Sequence, residues 1–340
     1  MLFWYSNGMS VIEFNEFQDE AGRKRLLDIA ESQTTPQHAV DDIVRNSIGE
    51  EIDEITRIVR GESNEVYGIR TKQNKDVILR IGHWDKKTFE REAWAVEQAV
   101  LVGVPVPVFL AVGDQSTEGK PIYFCIQEKL QGTTLDTLLH SKKLSTERAR
   151  IIVENAGEAM GKLHSISTTG WGYLTQLNVG ESESLADKYA KVETQAERVD
   201  AALKSTKVPV PPIETILEQL ETGLYVHEGN QRLVHGDFGP KHIFVDDQDN
   251  ITGIIDWEQA QSADPVVELA RWNFWFEKTT PLDWLRTGHD RVASIGDSYD
   301  ERFRIAKLEA AIWTLMYFTY DSPVEACAIR AAQAISEATI

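Results

Sequence analysis

The fold is decided by Leu233–Asp246, LVHGDFGPKHIFVD, and by the nearby stretch Ile254–Glu258, IIDWE. Each stretch contains a short apolar run that is typical of a buried strand and that ends in polar residues. Two strands that end together would place Asp237, His242 and Asp256 around one cleft. A carboxylate such as Asp237 can act as a base or accept a hydrogen bond from an alcohol, and a carboxylate such as Asp256 suits Mg²⁺.

The order and spacing of these residues resemble those of the aminoglycoside phosphotransferase family. The shared pattern is H-G-D-x₄-[N/H] followed by I-I-D-W, and the likeness extends over residues 55–275. This family is related to the protein kinases and includes aminoglycoside, hygromycin and macrolide kinases. The resemblance implies that Asp237 orients the accepting hydroxyl group and that Asp256 binds a Mg²⁺ ion that bridges the phosphates of ATP or GTP.

His242 stands where the family more often has asparagine as the second residue on the metal side. Imidazole nitrogen is a softer ligand than Mg²⁺ favours. Three roles are therefore open: a direct metal ligand, a contact to phosphate or metal-bound water, and a packing histidine on the turn. Macrolide kinases and one group of aminoglycoside kinases are similar in having His here, and we assign His242 with Asp256 to the metal site.

The first part of the chain has the sequence pattern of an antiparallel sheet, in which short strand-like runs are separated by polar turns. Short runs rich in β-branched or aromatic residues predict five strands, at 52–59, 65–71, 76–81, 105–112 and 122–128. Apolar residues at helical spacing from Phe89 to Val100 predict a helix that ends at Gly103. The polar range 13–48, divided near Pro36, predicts two short helices.

The rest of the chain is mostly helical. Apolar periodicity predicts helices over 146–165, 185–204, 212–226, 265–278 and 301–338. With the resemblance, this pattern predicts an α+β, bilobal, protein-kinase-like fold with a small antiparallel-sheet N-lobe and a larger, mainly helical C-lobe. The expected divisions are an N-terminal helical extension at 1–50, a nucleotide-binding N-lobe at 51–130, and a catalytic and acceptor-binding C-lobe at 131–340.

A turn between the first two strands, Gly61–Glu65, has the sequence GESNE. It resembles the family's nucleotide-positioning loop, with one glycine where the family has three. Backbone amides in such loops bind phosphate oxygens. Ser63 and Asn64 are assigned to nucleotide binding on this basis, and an ordinary hairpin turn is the alternative.

The third strand carries Arg80 at the end of VILR, which resembles the VAIK-type segment of protein kinases with Arg in place of Lys. A guanidinium group offers a permanent charge and forked donors to phosphate. We predict that Arg80 holds the α- and β-phosphates and pairs with Glu92 on the next helix. Glu90 is the competing partner, and either glutamate is alternatively a surface charge.

The segment IQEKLQG at the end of the last small-lobe strand resembles the family's hinge, where main-chain groups contact adenine. Glu128 and Leu130 are assigned to nucleotide binding for this reason. Two other resemblances involve residues outside the predicted site. His164, in MGKLH, is expected to be structural, and Asp264 and Glu268, in DPVVELA, are expected to be local hydrogen-bonding anchors.

Composition and charge argue against several classes of function. The 340 residues include 35 Lys and Arg against 54 Asp and Glu, a formal net charge of −19, and nucleic-acid affinity needs clustered basic side chains. Cys125 and Cys327 are the only cysteines, which fits a reducing cytoplasm. We expect no signal peptide, because the first residues lack a basic region followed by an apolar one, and the sequence has no apolar run of about 18–20 residues. We expect a cytoplasmic monomer or weak dimer that binds neither nucleic acid nor membrane.

Two functions fit these observations. The first is Mg²⁺-dependent transfer of phosphate from ATP or GTP to a hydroxyl group of a small molecule, an aminoglycoside- or macrolide-type antibiotic or a related metabolite. The second is a catalytically silent, kinase-like nucleotide-binding module, for which Arg80, His242 and the glycine-poor loop are the arguments.

The acceptor is expected between the helices of 185–226 and those of 265–338. Acidic side chains there would favour a polycationic acceptor, and aromatic ones a macrolide or a nucleoside. Packing in the core and solvation at the surface are the alternatives for these side chains. The aromatic candidates are Trp257, Trp272, Trp275, Phe276, Trp284 and Trp313, and the acidic ones are Glu258, Glu277, Asp283, Asp297 and Asp300.

Overall fold

Two compact units divide the chain. One consists of Met1–Trp94 and Val106–Gln131, and the other of Ala95–Pro105 and Gly132–Ile340. None of the helices in the part of the chain that is described has the length and apolarity needed to cross a lipid bilayer. The structure, a computed structural model, describes residues 10–13, 27–28, 30–31, 34–59, 64–82, 86–117, 119–141, 144–227 and 229–339.

The first unit is built on a six-stranded sheet. The strands are β1 (Ser10–Glu13), β2 (Ile52–Ile58), β3 (Glu65–Thr71), β4 (Asp76–Gly82), β5 (Phe109–Thr117) and β6 (Lys120–Glu128). Their order is β1-β2-β3-β4-β6-β5, with antiparallel neighbours except for the parallel pair β1 and β2. The antiparallel sheet predicted for this part of the chain is confirmed. The strand predicted at 105–112 begins later and runs to Thr117, because Pro105 and Pro107 cannot donate ladder hydrogen bonds.

Helix α1 (Gln37–Ile48) supplies part of the core of the first unit. Val40, Ile43 and Val44 pack in one buried cluster with apolar residues of β3, β4 and β6. Part of the range predicted as an N-terminal extension therefore belongs to this core. Most of the preceding helix predicted within 13–48 lies outside the described residues. Helix α2 (Lys86–Leu101) matches the helix predicted to end before Gly103.

The second unit is mainly helical. Its helices are α3 (Leu135–His140), α4 (Thr146–Leu163), α5 (Leu185–Glu193), α6 (Ala196–Thr206), α7 (Ile213–Glu221), α8 (Gly223–Val226), α9 (Val266–Phe276), α10 (Leu282–His289), α11 (Tyr299–Met316) and α12 (Glu325–Ala338). The ranges predicted as single helices at 185–204 and 212–226 are each divided in two. In the predicted helical range 301–338, α11 and α12 are separated by a π-helical turn, Tyr317–Asp321, and by Pro323, which is unfavourable inside a helix.

Two small sheets carry the loops of the site. Their strands are β7 (Thr133–Thr134), β8 (Trp171–Gln176), β9 (Val179–Ser182), β10 (Arg232–Val234), β11 (Ile243–Val245), β12 (Ile251–Ile254) and β13 (Gln261–Ala263). The sheet orders are β10-β13-β8-β9 and β12-β11-β7. The antiparallel pair β11 and β12 holds together the two sequence stretches from which the fold was predicted.

Helices α4 and α10 are in backbone contact. A Cβ atom on Gly157 would lie 1.9 Å from the carbonyl oxygen of Leu285, and one on Gly288 would lie 1.7 Å from that of Glu154. Real Cβ atoms do not approach an oxygen so closely, so only glycine fits at either position. This contact fixes the end of α10, where His289 is buried, against α4.

Candidate active site

The loop after β10 depends on a glycine. Gly236 has a φ of 84°, a left-handed conformation that glycine adopts without steric cost. A Cβ atom there would lie 1.9 Å from the carbonyl oxygen of Gln259. The backbone can therefore turn sharply just before Asp237, which brings that carboxylate to the partly exposed side of the loop.

His235 holds the backbone of this turn. Its Nε2–H donates to the carbonyl of Ile255 at 2.9 Å, and its Nδ1 accepts from the amide of Asp237 at 3.2 Å. Burial lowers the pKa of His235, although the charge of Glu268 opposes this shift. A neutral imidazole with one donor and one acceptor matches both contacts. His235 is therefore a structural clamp beneath the loop.

Asp237, His242 and Asp256 come together as one cluster. Each offers a ligand atom, and these atoms all lie within 4.8 Å of one another. His242 ends a 3₁₀ turn, Pro240–His242, that follows Asp237. Asp256 follows β12 with a φ of 70°, a conformation that non-glycine residues adopt rarely and often at functional sites. The structure thus places in one position the three residues that the spacing singled out.

The hydrogen bonds of His242 test whether a cation fits here. Its Nδ1 lies 2.8 Å from the carbonyl oxygen of Asp237, which can only accept, so Nδ1 carries a hydrogen. When Nδ1 carries the only ring hydrogen, the Nε2 lone pair faces Oδ2 of Asp256, 3.1 Å away. Two acceptors this close require a proton or a cation between them. Adjacent ligands of an octahedral Mg²⁺ at about 2.1 Å are themselves about 3 Å apart, so the donor set fits a divalent cation.

Lys241 is a site residue that the sequence analysis missed. Its Nζ lies 3.0 Å from Oδ2 of Asp237. Its side chain is 55% exposed, and the carboxylates of Asp237 and Asp256 raise its pKa above the ordinary value, so the ammonium group is charged at neutral pH. The spacing of four residues after Asp237 was the signal in the sequence that would have identified it.

Glu268, on α9, supports the loop from the protein interior. One carboxylate oxygen accepts from the amide of Gly236 at 2.7 Å, and the other accepts from Nε2–H of His164 at 2.9 Å. Burial would raise the pKa of Glu268, but the hydrogen bond and charge of His164 and the Gly236 amide keep it below its usual value. These contacts agree with the predicted anchoring role of Glu268 and structural role of His164.

His289 extends this support in a way that the sequence did not reveal. Its Nε2 lies 3.1 Å from Nδ1 of His164, and its Nδ1 lies 3.1 Å from a carboxylate oxygen of Asp290. Burial, together with the charge of His164, lowers the pKa of His289 to about 4. A chain of polar contacts therefore runs from α10 through α4 and α9 to the amide of Gly236.

Asp264 is the second anchor predicted from the sequence. Its two carboxylate oxygens accept from Arg302 Nη1 at 2.8 Å, and Oδ2 also lies 2.7 Å from Nδ1 of His227. Its Oδ1 accepts from the amide of Val266 at 3.1 Å. Asp264 thus ties the start of α9 to α11, as a structural anchor.

In the first unit, Arg80 and Glu92 form the predicted ion pair. The side chains are 8% and 1% exposed, respectively, and the Arg80 guanidinium lies 5.5 Å from the centre of the Phe89 ring. Glu90 is exposed, so Glu92 is confirmed as the partner. Binding of phosphate by Arg80 stays a prediction.

The other residues assigned to the nucleotide lie at the ends of strands. Ser63 is outside the described residues. Asn64 precedes β3, and a Cβ on Gly82 would lie 3.0 Å from its Oδ1, so its side chain lies against the end of β4. Glu128 ends β6, where its amide donates to the carbonyl of Val108 at 2.9 Å, and Leu130 follows the strand. Their contacts to a nucleotide stay predictions.

The candidates for the acceptor site differ in their burial and in their contacts. Trp257 and Trp272 are buried, with 1% and 0% exposure, so the alternative of core packing holds for them. Glu277 accepts from the amide of Leu282 at the start of α10 and is therefore a helix cap. Trp313 differs, because its ring is 45% exposed.

The chain matches a known protein family over most of its length. The model of the phosphotransferase enzyme family, APH, matches residues 54–308, which is three quarters of the chain. The chain belongs to the phosphotransferase enzyme family. The family resemblance recognised around Asp237 and Asp256 is thereby confirmed.

Two relatives of this phosphotransferase family member cover similar parts of it. Hygromycin-B 4-O-kinase of Escherichia coli is 21% identical over 226 residues, which are 66% of this chain and 63% of that protein. Acyl-CoA dehydrogenase family member 11 of Homo sapiens is 25% identical over 225 residues, 64% of this chain and 26% of that protein. The chain therefore spans less than two thirds of the length of either relative.

A solved structure shows the same fold. A thermostable mutant of aminoglycoside phosphotransferase APH(4)-Ia, in ternary complex with AMP-PNP and hygromycin B, aligns with a TM-score of 0.67 and 18% identity. The alignment covers 88% of this chain and 97% of that chain. The predicted kinase-like fold class, with a small sheet region and a larger helical part, is confirmed.

Proposed function

We propose that this member of the phosphotransferase family transfers the γ-phosphoryl group of a nucleotide to a hydroxyl group of a small molecule. The observation that carries the proposal is the cluster of Asp237, His242 and Asp256, whose ligand atoms lie within 4.8 Å of one another. It combines a partly exposed carboxylate for the hydroxyl group with a donor set for a divalent cation. The family to which the chain belongs supports the same reaction class.

In the proposed reaction, the acceptor oxygen forms a bond to the γ-phosphorus while the bond from that phosphorus to the β–γ bridging oxygen breaks. The nucleoside diphosphate leaves, and the hydroxyl proton passes to the carboxylate of Asp237. Phosphoryl transfer depends mainly on positioning and on neutralisation of charge. Bound Mg²⁺, held by Asp256 and His242, would supply part of that neutralisation. Lys241 adds a positive charge 3.0 Å from Asp237.

For the nucleotide, the proposal assigns the α- and β-phosphates to Arg80, with Glu92 orienting it, and assigns adenine to main-chain groups of Glu128 and Leu130. Asn64 and Ser63 would contact phosphate. ATP is favoured over GTP because the related APH(4)-Ia mutant was crystallised with AMP-PNP. The buried Arg80–Glu92 pair, in which both side chains are less than one tenth exposed, is a preformed guanidinium position rather than a mobile surface charge.

The test compares binding with turnover. Titration calorimetry with ATP and Mg²⁺ should give saturable binding, and release of ADP should increase when an acceptor is present. Asp237→Asn should retain nucleotide affinity within about threefold and lose turnover by about 10²–10⁴-fold, the usual contribution of a positioned acid or base. Acceptor-dependent turnover would exclude the silent nucleotide-binding module. Full turnover in Asp237→Asn would refute the assigned role.

A further inference from the structure

An aromatic surface lies at the end of α11. The rings of Trp313 and Tyr317 stack with centroids 5.2 Å apart and an angle of 6° between their planes. Trp313 is 45% exposed, and it is near enough to Tyr173 on β8 to oppose the rise that burial causes in the pKa of the Tyr173 hydroxyl. We call Trp313, Tyr317 and Tyr173 the aromatic ledge. Tyr and Trp side chains are enriched at binding interfaces, because they combine a large apolar ring with a polar group that can meet water.

Arg271 connects the ledge to the catalytic loop. Its guanidinium donates to the carbonyl of Gly236, directly before Asp237, and its central carbon lies 5.9 Å from the centre of the Trp313 ring. Tyr173 lies within electrostatic range of Asp237, as Tyr317 does of Lys241. Arg271 therefore joins the ledge to the loop that carries the carboxylate of Asp237, which would receive the hydroxyl proton.

The backbone at the ledge is irregular. Helix α11 ends at Met316, and Tyr317–Asp321 forms a π-helical turn. Such turns are rare and occur frequently at functional sites. The turn holds the Tyr317 ring parallel to Trp313, while Phe318 packs edge-on against Tyr317, with centroids 5.0 Å apart. The pair is thus held in place from the protein side.

The charges around the ledge do not suit a polycation. Two carboxylates near the ledge already have lysine partners: Asp237 pairs with Lys241 at 3.0 Å, and Glu181 pairs with Lys191 at 3.3 Å. Ammonium groups of an acceptor would have to displace these partners. They would also meet the positive charges of Lys241 and Arg271, which disfavours such an acceptor.

We infer that the aromatic ledge binds the acceptor, and that this acceptor is a hydroxyl compound with a flat ring and no net positive charge rather than a polycationic aminosugar. The ring would pack on Trp313 and Tyr317 and direct a hydroxyl group to Asp237. This inference rests on the proposed phosphotransfer function and adds the substrate class to it.

The experiment uses the full chain with ATP and Mg²⁺ and an acceptor set in matched pairs. One pair is 4-nitrophenyl β-glucoside and methyl β-glucoside, which share hydroxyl groups and differ in the flat ring. Adenosine and uridine extend the ring-bearing group, and kanamycin and hygromycin B are the polycations. The readouts are nucleotide affinity by calorimetry and kcat and KM from ADP release. Variants are Trp313→Ala, Trp313→Phe, Tyr317→Ala and, as a control, Tyr320→Ala.

Tyr320 is a matched control because it is exposed on the same π-helical turn but its hydroxyl donates to the carbonyl of Arg198. We expect turnover with ring-bearing compounds only. Trp313→Ala and Tyr317→Ala should raise the acceptor KM about tenfold, as expected for loss of an aromatic contact, with nucleotide affinity unchanged. Trp313→Phe and Tyr320→Ala should stay close to the parent protein.

The other outcomes separate two failures. If the parent protein accepts kanamycin or hygromycin B, if no ring-bearing compound is turned over, or if Trp313→Ala leaves the acceptor KM unchanged, the substrate class is wrong. If the parent protein fails to bind ATP with Mg²⁺ at all, the proposed phosphotransfer function, on which this inference rests, is wrong. Calorimetry distinguishes these cases before any acceptor is added.

Discussion

Lys241 and Asp237 form an ion pair in which the lysine follows the aspartate by four residues. We predict that Lys241→Ala lowers kcat about 10²-fold, because it removes a positive charge from the place where charge develops during transfer. Lys241→Arg should retain most of the activity. Lys204→Ala is the matched control, since Lys204 pairs with Asp200 at the same spacing on an exposed helix face. Equal activity in the Lys241 and Lys204 variants would contradict this role.

Arg80 and Glu92 are both buried, so the pair affects stability as well as nucleotide binding. Glu92→Ala should lower the free energy of unfolding by about 3 kcal/mol, because it leaves a buried charge without its partner. The double substitution Arg80→Met with Glu92→Leu should restore most of that stability without restoring nucleotide affinity. Urea unfolding and calorimetry measure the two effects, and a double variant that binds ATP normally would disprove the phosphate contact.

Single residues of the site were predictable where the information is local. Asp237, His242 and Asp256 were found because they lie at the ends of short strands and turns, and Glu92 was preferred over Glu90 as the partner of Arg80. His289 and Arg271 could not be found in this way. Their contacts, to His164 and to Gly236, join residues that are 125 and 35 positions apart and have no local pattern.

At the scale of elements, the packing of α4 on α10 depends on Gly157 and Gly288. Alanine normally stabilises a helix by about 1 kcal/mol relative to glycine. Here Gly157→Ala should instead destabilise the protein by about 2 kcal/mol, because its Cβ would lie 1.9 Å from the carbonyl oxygen of Leu285. Asn155→Ala, on the exposed face of α4, is the control. Urea unfolding measures the change in unfolding free energy. A stabilised Gly157→Ala variant would show that α4 and α10 are farther apart.

The existence and type of most elements were predictable, and their interruptions were not. Short β-branched runs between turns predicted β2, β3 and β4, and helical periodicity predicted α4 and α9. The division of 185–204 into α5 and α6 leaves the apolar spacing intact, so periodicity does not detect it. The π-helical turn at Tyr317–Asp321 arises where α11 meets Pro323, and its stacked rings depend on tertiary contacts.

For the whole molecule, buried histidines make stability depend on pH. The pKa of His289 is about 4 in the folded chain against an ordinary value of 6.5. The unfolded chain therefore binds a proton first as the pH falls, so this stability is present above about pH 6.5 and is lost towards pH 4. His235, whose pKa is also lowered by burial, acts in the same direction.

We predict that between pH 7 and pH 5 the parent protein loses about 2 kcal/mol more unfolding free energy than His289→Gln does, from the pKa difference at His289. Urea unfolding at the two pH values measures this. His38→Gln, at an exposed position of α1, serves as the control and should keep the parent pH dependence. Identical pH dependence in the parent and His289→Gln would mean that His289 is not buried in its neutral form.

Phosphoryl transfer is observed most directly by ³¹P NMR of ATP and Mg²⁺ incubated with the protein and the acceptor set. We predict that the γ-phosphate signal is replaced by signals of ADP and of a phosphate monoester on one acceptor. The same conversion should be absent with Asp237→Asn, although this variant still binds ATP. Saturable ATP binding with no phosphate monoester from any acceptor, or a monoester formed equally by Asp237→Asn, would contradict it.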